Sequence, residues 1–204
     1  MRSSSGSETA RPRRGERLRP EVRRREIIAA ARALFLEEGY AASGMAEVAA
    51  VGEVSRASVY RYFPEGRSDL LASVAEELME ELRQRMRQAA SVPFSRRQRL
   101  DQLLAAMFGY FGETPGAYRL LIRDVWAEQD PQLEAAVLGG RQLLAAEVAR
   151  VIAGDNFSAR EIAIAAASIL GAALAAIDAT LDHPDHVELA WRLTCRQAGA
   201  LLED

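Results

Sequence analysis

The stretch GYAASGMAEVAAVGEVSRASVYRYFPEGRSDLL, residues 39–71, decides how this chain folds. Gly39 stands where a helix ends, because a residue without a Cβ takes the left-handed conformation at little cost. Met45, Val48 and Ala49 recur at helical spacing over Met45–Val51, which predicts a short helix capped by Ser43 or Gly44. Gly52-Glu53-Val54 makes a tight connection, and Ser55 is a good N-cap for a second short helix over Arg56–Phe63. Pro64 and Gly66 close that helix, and Ser68 opens a long one reaching about Gln88.

Upstream, Ile27, Ile28, Ala31, Leu34 and Phe35 share one face of a helix over about Arg23–Glu38. Downstream the helices lengthen, to about Ser95–Gly112, Pro115–Gln129, Pro131–Ala153, Ser158–Leu181 and Pro184–Leu202. Proline or serine stands near the start of each, as the first helical turn prefers. No β alternation interrupts the series. The class is all-α with about nine helices, in which a small N-terminal three-helix unit precedes a larger helical body.

Charge divides the chain along the same line. The net charge is −3 over 204 residues. Residues 1–67 carry 13 Arg against 9 acidic residues, while residues 68–204 carry 13 Arg against 20. A basic module attached to an acidic body points the module towards a polyanion. Residues 1–20 lack periodicity and read as a disordered basic arm. Over residues 1–25 there are nine Arg against three Glu, enough for the arm to enter an adjacent minor groove or to add nonspecific affinity.

Two short helices joined by a turn, the second opening on a small polar cap, form a helix-turn-helix, here about residues 44–63. The second helix of such a pair fits the major groove and meets base edges with its first turn. Those residues are Arg56, a bidentate reader of guanine, Ala57, which suits a thymine methyl, and Ser58. Val59 and Phe63 fall on the opposite face and anchor the helix, leaving Tyr60, Arg61 and Tyr62 outward.

Gly39-Tyr40, Val48-Ala49, Val54-Ser55, Tyr60, Phe63, Arg67 and Leu70-Leu71 together resemble the DNA-binding domain of the TetR family, over about residues 21–81. The resemblance implies base contacts by Arg56, Ala57, Ser58 and Arg61. It implies phosphate contacts by Ser55, Tyr60, Tyr62, Arg67 and the start of the second helix near Met45. Two positions depart from the family pattern. Ser43-Gly44 replaces a threonine pair, leaving only the Ser43 hydroxyl for phosphate. Glu53 stands where the family has glycine, so either Glu53 turns left-handed or the turn shifts by one residue.

For residues 82–204 the resemblance implies a ligand-binding and dimerisation domain. Met79, Met86, Met107, Tyr110, Phe111, Tyr118, Leu121, Trp126, Leu143 and Glu147 are candidates for an effector pocket. Ile169, Ala173 and Ile177 on the eighth helix, with Trp191, Thr194 and Ala198 on the ninth, are candidates for the face of a homodimer. The implied function is a ligand-responsive repressor on palindromic operator DNA, released by a small-molecule effector. A DNA-binding-deficient interaction module of the same fold is the alternative.

Other chemistries find little support. Cys195 is the only cysteine, which excludes an intrachain disulfide and fits a reducing, cytoplasmic setting. Residues 1–14 lack the apolar core of a secretory signal. The apolar run Ile162–Ile177 falls short of the ~20 residues of a membrane span, so it reads as a buried helix and no membrane partner is expected. Phosphate-loop and dinucleotide fingerprints are absent, and no cofactor or catalytic residue is expected. The pattern Asp182-His183-Pro184-Asp185-His186 could serve a small metal-dependent enzyme, but it reads first as a polar interhelical loop with no metal assigned.

Overall fold

The computed structural model describes residues 19–124, 131–154 and 157–201. Among these residues the chain is helical without strands, in nine α-helices. They are α1 Pro20–Glu38, α2 Met45–Val51, α3 Arg56–Tyr62, α4 Arg67–Ala89, α5 Arg96–Glu113, α6 Pro115–Tyr118, α7 Pro131–Ile152, α8 Ala159–Asp178 and α9 Val187–Ala200. α6 runs on into a wider π-helical turn, Arg119–Asp124, and a 3₁₀ turn, Pro184–His186, leads into α9.

α1 to α3 pack as a three-helix unit around Ile27, Ala31, Phe35, Val48, Val59 and Phe63, all buried. Each of the larger side chains among them, taken from water, contributes about 1.5–3 kcal/mol. α1 starts three residues earlier than periodicity suggests, because Pro20 is well placed in its first turn. α4 starts at Arg67 rather than at a Ser68 cap, behind Gly66 at φ +82°, a conformation that favours glycine.

α4 is the shaft that joins the unit to the body. Leu70, Leu71, Val74, Leu78, Leu82 and Met86 line its buried side against α1, α5 and α7. α7 comes close because Gly140 has no side chain; a Cβ there would lie 2.7 Å from Met79 Cγ. Capping boxes start two body helices, Ser95 with Gln98 on α5 and Ser158 with Glu161 on α8. The Ser158 hydroxyl and backbone N–H both donate to Glu161 and lower its carboxyl pKa.

The body touches the three-helix unit a second time at α6. A Cβ on Gly116 would lie 2.3 Å from the Leu36 carbonyl oxygen of α1, so only glycine permits this approach. From the same short helix, the Tyr118 hydroxyl donates to the Leu174 carbonyl of α8 at 2.9 Å. Arg123, in the π turn, pairs with Asp178 of α8 at 2.9 Å. α6 therefore bridges the N-terminal unit and α8.

α8 departs from the buried helix expected of the Ile162–Ile177 run. It is long and apolar enough to cross a membrane, with mean hydropathy 1.8, yet only 33% of it is buried. Ile169, Ala173 and Ile177 face the core, whereas Ile164, Ala167, Ser168 and Ala175 face outward.

Candidate nucleic-acid interface

Ser55 sits in extended backbone (φ −73°, ψ 149°), and its Oγ accepts the Ser58 N–H at 3.1 Å. That bond satisfies one of the N–H groups left open at a helix start and fixes the direction of α3. Val59 and Phe63 are fully buried, and the Arg24 guanidinium of α1 lies 5.0 Å above the Phe63 ring. With its inner face pinned, α3 exposes Arg56, Ala57, Tyr60 and Arg61, with Ser58 and Tyr62 half-buried beside them. Arg61 donates to the Tyr62 hydroxyl at 3.1 Å and lies 5.0 Å from its ring centre, which holds both side chains on one face. The outward set expected of α3 is thus assembled together.

The turn into α3 is resolved by Glu53, which adopts φ +50°. The ladder leaves it no alternative. Gly52 N–H bonds Val48 O at 2.9 Å and Val54 N–H bonds Ala49 O at 2.9 Å, so the residue between them takes the left-handed bend. An L-residue there costs roughly 1–2 kcal/mol. Glu53→Gly is expected to raise unfolding free energy by about 1 kcal/mol. The same change removes a carboxylate from the basic face and should tighten binding to duplex DNA. Urea denaturation and a fluorescence-anisotropy titration check the two effects separately.

Ser43 and Arg67 serve differently from expectation. Ser43 is fully buried, and its hydroxyl donates to the Gly39 carbonyl at 2.9 Å. Arg67 donates to the carbonyls of Tyr40 and Ser43, each at 3.2 Å, and stacks 3.9 Å from the Tyr40 ring centre. Both side chains therefore build the loop that aims α2, and the Ser43 hydroxyl is withdrawn from any phosphate. Met45 is buried as well, so the start of α2 offers backbone rather than this side chain.

The structure adds two residues that the sequence reading left unnamed. Arg19 and Arg23, at the start of α1, face Glu53, Ser55, Ser58, Arg61 and Tyr62 across an open cleft of about 790 Å³. The density of arginine over residues 19–25 was the available signal, but it could not show which of them turn towards α3.

Most of the pocket candidates are packed into the core. Met79, Met86, Met107, Tyr110, Phe111, Tyr118 and Leu121 are all buried. The rings of Tyr110, Phe111 and Tyr118 meet edge to face at 5.3 and 5.2 Å. Tyr110 donates to Leu78 O at 3.3 Å, and burial pushes the pKa of both tyrosines far up. Leu143 is 53% exposed and lines nothing internal. Trp126 lies outside the described residues. Glu147 is buried but already neutralised, accepting from Arg83 at 3.1 Å, from Arg150 at 3.1 Å and from Arg87. It holds no free charge for a cationic ligand.

The candidate partner face also shifts. Ile169, Ala173, Ile177, Thr194 and Ala198 are buried within the subunit, and Trp191 packs partly against the same core. The outward face of α8 and α9 carries Ile164, Leu189, Leu193 and Leu201 instead, at 44–59% exposure. Both faces of α8 are apolar, so periodicity had no contrast with which to choose between them. Cys195 is buried, and burial, with Asp101 nearby, pushes its thiol up to about 12.

Residues 27–74 match the family described as "Bacterial regulatory proteins, tetR family". Over that segment the chain is similar to the TetR family. The matched segment runs from within α1 into α4 and contains the whole helix-turn-helix. The HTH-type transcriptional activator FasR of Mycolicibacterium smegmatis is 32% identical over 125 residues, covering 61% of this chain and 56% of that protein. Among solved structures, a tetR-family transcriptional regulator from Streptomyces coelicolor superposes with a TM-score of 0.74 at 22% identity, over 90% of this chain and 82% of its own. A transcriptional regulator from Pseudomonas aeruginosa PAO1 gives a TM-score of 0.74 at 17% identity, over 92% and 91%. These likenesses show that the body of this chain shares the all-helical fold of those structures.

Proposed function

We propose that this chain is of the TetR family and regulates transcription by gripping a palindromic operator as a homodimer. The observation that carries the reading is α3, a short helix pinned from behind by Val59 and Phe63 and exposing Arg56, Ala57, Tyr60 and Arg61. One such helix reads only a few base pairs; two, related by a twofold axis, read half-sites one helical turn or a multiple apart. The unpartnered apolar face of α8 and α9 supplies the surface on which a second copy sits. The domain division at about residue 81 falls inside α4, which makes that helix the lever between DNA and body.

Arg56, Ala57, Ser58 and Arg61 read bases in this proposal, while Ser55, Tyr60, Tyr62, Arg19 and Arg23 hold phosphates. Repression by occlusion needs contacts to DNA alone, and the chain needs nothing further to act that way. Activation is the competing outcome, since the relative FasR is named an activator. Transcription from the bound promoter, with and without the protein, decides the sign. A small-molecule effector would act through its differential affinity for two positions of α4, typically ~1–3 kcal/mol of coupling. Tyr110, Phe111 and Tyr118 meet edge to face, so a ligand entering between them would have to part those rings.

Gel-shift titration over the protein's own upstream region tests the reading. Affinity is expected to fall steeply with salt, because each neutralised phosphate releases counterions. Arg56→Ala should lose ~1–3 kcal/mol, roughly 5- to 150-fold, with relaxed preference at one base position. Equal weakening on every sequence would make Arg56 a phosphate contact instead. Flat salt dependence would remove DNA as the partner and leave the interaction module.

A further inference from the structure

The turn between α8 and α9 holds the chain's only two histidines, and neither DNA reading nor dimer formation uses them. Its backbone is well tied: Thr180 Oγ1 donates to Ile177 O at 2.8 Å, His183 N–H to Thr180 O at 3.0 Å and His186 N–H to His183 O at 2.9 Å. Pro184 opens the 3₁₀ turn Pro184–His186 with its φ already fixed. A 3₁₀ helix has three residues per turn, so positions i and i+3 eclipse. His183, the residue that caps this turn with non-helical backbone, and His186, its last residue, are three apart, and their ring centres lie 5.4 Å apart with planes tilted by 35°.

Asp185 joins them. Its Oδ2 lies 3.4 Å from His186 Nε2, and one ligand atom from each of the three residues falls within 4.8 Å of the others. Metal–ligand bonds of ~2.0–2.2 Å place tetrahedral ligands about 3.4 Å apart. The Asp185–His186 pair is already at that separation, and a His183 ring nitrogen lies within 4.8 Å of both. All three side chains are exposed to solvent. Asp178 is engaged by Arg123 and stands outside the set.

We propose that His183, Asp185 and His186 bind one divalent transition-metal ion of the zinc, nickel or cobalt class. Two imidazoles with one carboxylate suit that borderline class and not magnesium or calcium, which take oxygen ligands. Three protein ligands leave a coordination position to water. The ion would tie together the four residues His183–His186 that lead into α9.

The tag-free full chain, titrated with zinc chloride in a calorimeter, should take up one ion per chain, and magnesium chloride should give no heat. The double variant His183→Asn, His186→Asn should bind at least tenfold more weakly, and Asp185→Asn should weaken binding to a smaller degree. Cobalt(II) added to the unaltered chain should broaden the ring-proton NMR signals of both histidines together. That measurement needs no variant to fold. Absence of saturable zinc binding, full affinity in the double variant, or broadening of only one histidine would each overturn the site.

Discussion

Ile164→Glu combined with Leu193→Glu is expected to convert the protein to a monomer and to abolish tight operator binding, with helix content unchanged. Ile164 is 59% exposed and Leu193 is 52% exposed within one subunit. Neither supports the subunit's own core, so carboxylates are tolerated there in the isolated chain. In a twofold contact every residue occurs twice, so two substitutions place four charges in one interface. Each large aliphatic side chain lost from the contact removes about 1.5–3 kcal/mol, before any cost of burying charge. Dimer affinity should therefore fall at least a hundredfold. Sedimentation velocity reads the change in mass, and anisotropy on operator DNA reads the lost avidity between half-sites. Control substitutions such as Ala173→Val act on the subunit core, because Ala173 is fully buried there. A double variant that stays dimeric would place the partner on another face.

Glu147→Ala is expected to lower unfolding free energy by roughly 1.5–3 kcal/mol, or about 3–12 °C in Tm for a chain of this size. Glu147 on α7 has a side chain only 4% exposed, and it accepts from Arg83 and Arg87 on the facing α4 and from Arg150 on its own helix. Truncation leaves Arg83, itself 19% exposed, with Glu80 as its remaining partner. Arg87 and Arg150 are about half exposed and return to water, which keeps the loss below that of a fully buried triad.

The same cluster sets an acid limit. Burial alone would raise the Glu147 pKa, but hydrogen bonds and charge from Arg87 and Arg150 outweigh it and hold the carboxyl below its usual range. A carboxyl with a depressed folded-state pKa contributes stability that is fully present above its unfolded value, near 4.3. That contribution fades as pH falls through the folded-state value. Denaturation curves at pH 7 and pH 3.5 should show the gap between native protein and Glu147→Ala narrowing in acid. A constant gap would assign the loss to packing rather than charge.

Much of this was legible in order along the chain. The inward stripe of α1, the Ser55 cap and the outward group Arg56, Ala57, Tyr60 and Arg61 follow from local periodicity and helix-start chemistry. Such signals act within a few residues and survive any tertiary arrangement. Glu53 was legible as a problem, with two solutions that local chemistry could not separate. The bonds of Gly52 to Val48 and of Val54 to Ala49 chose between them.

What required the folded molecule was direction. Ser43 and Arg67 carry the right functional groups for phosphate, yet the Tyr40 loop claims both. Glu147 looked like a lone carboxylate until α4 brought two guanidinium groups across from it. Apolar residues on both sides of α8 left its outer face undefined, and only the folded turn brought the His183 and His186 rings together. The sequence by itself determined the all-α class, the helix-turn-helix and the outward residues of α3, because 3.6-residue periodicity and capping are local. Only the tertiary structure decided which of two apolar faces meets solvent and which charged groups are already paired, because both depend on atoms far apart in the chain.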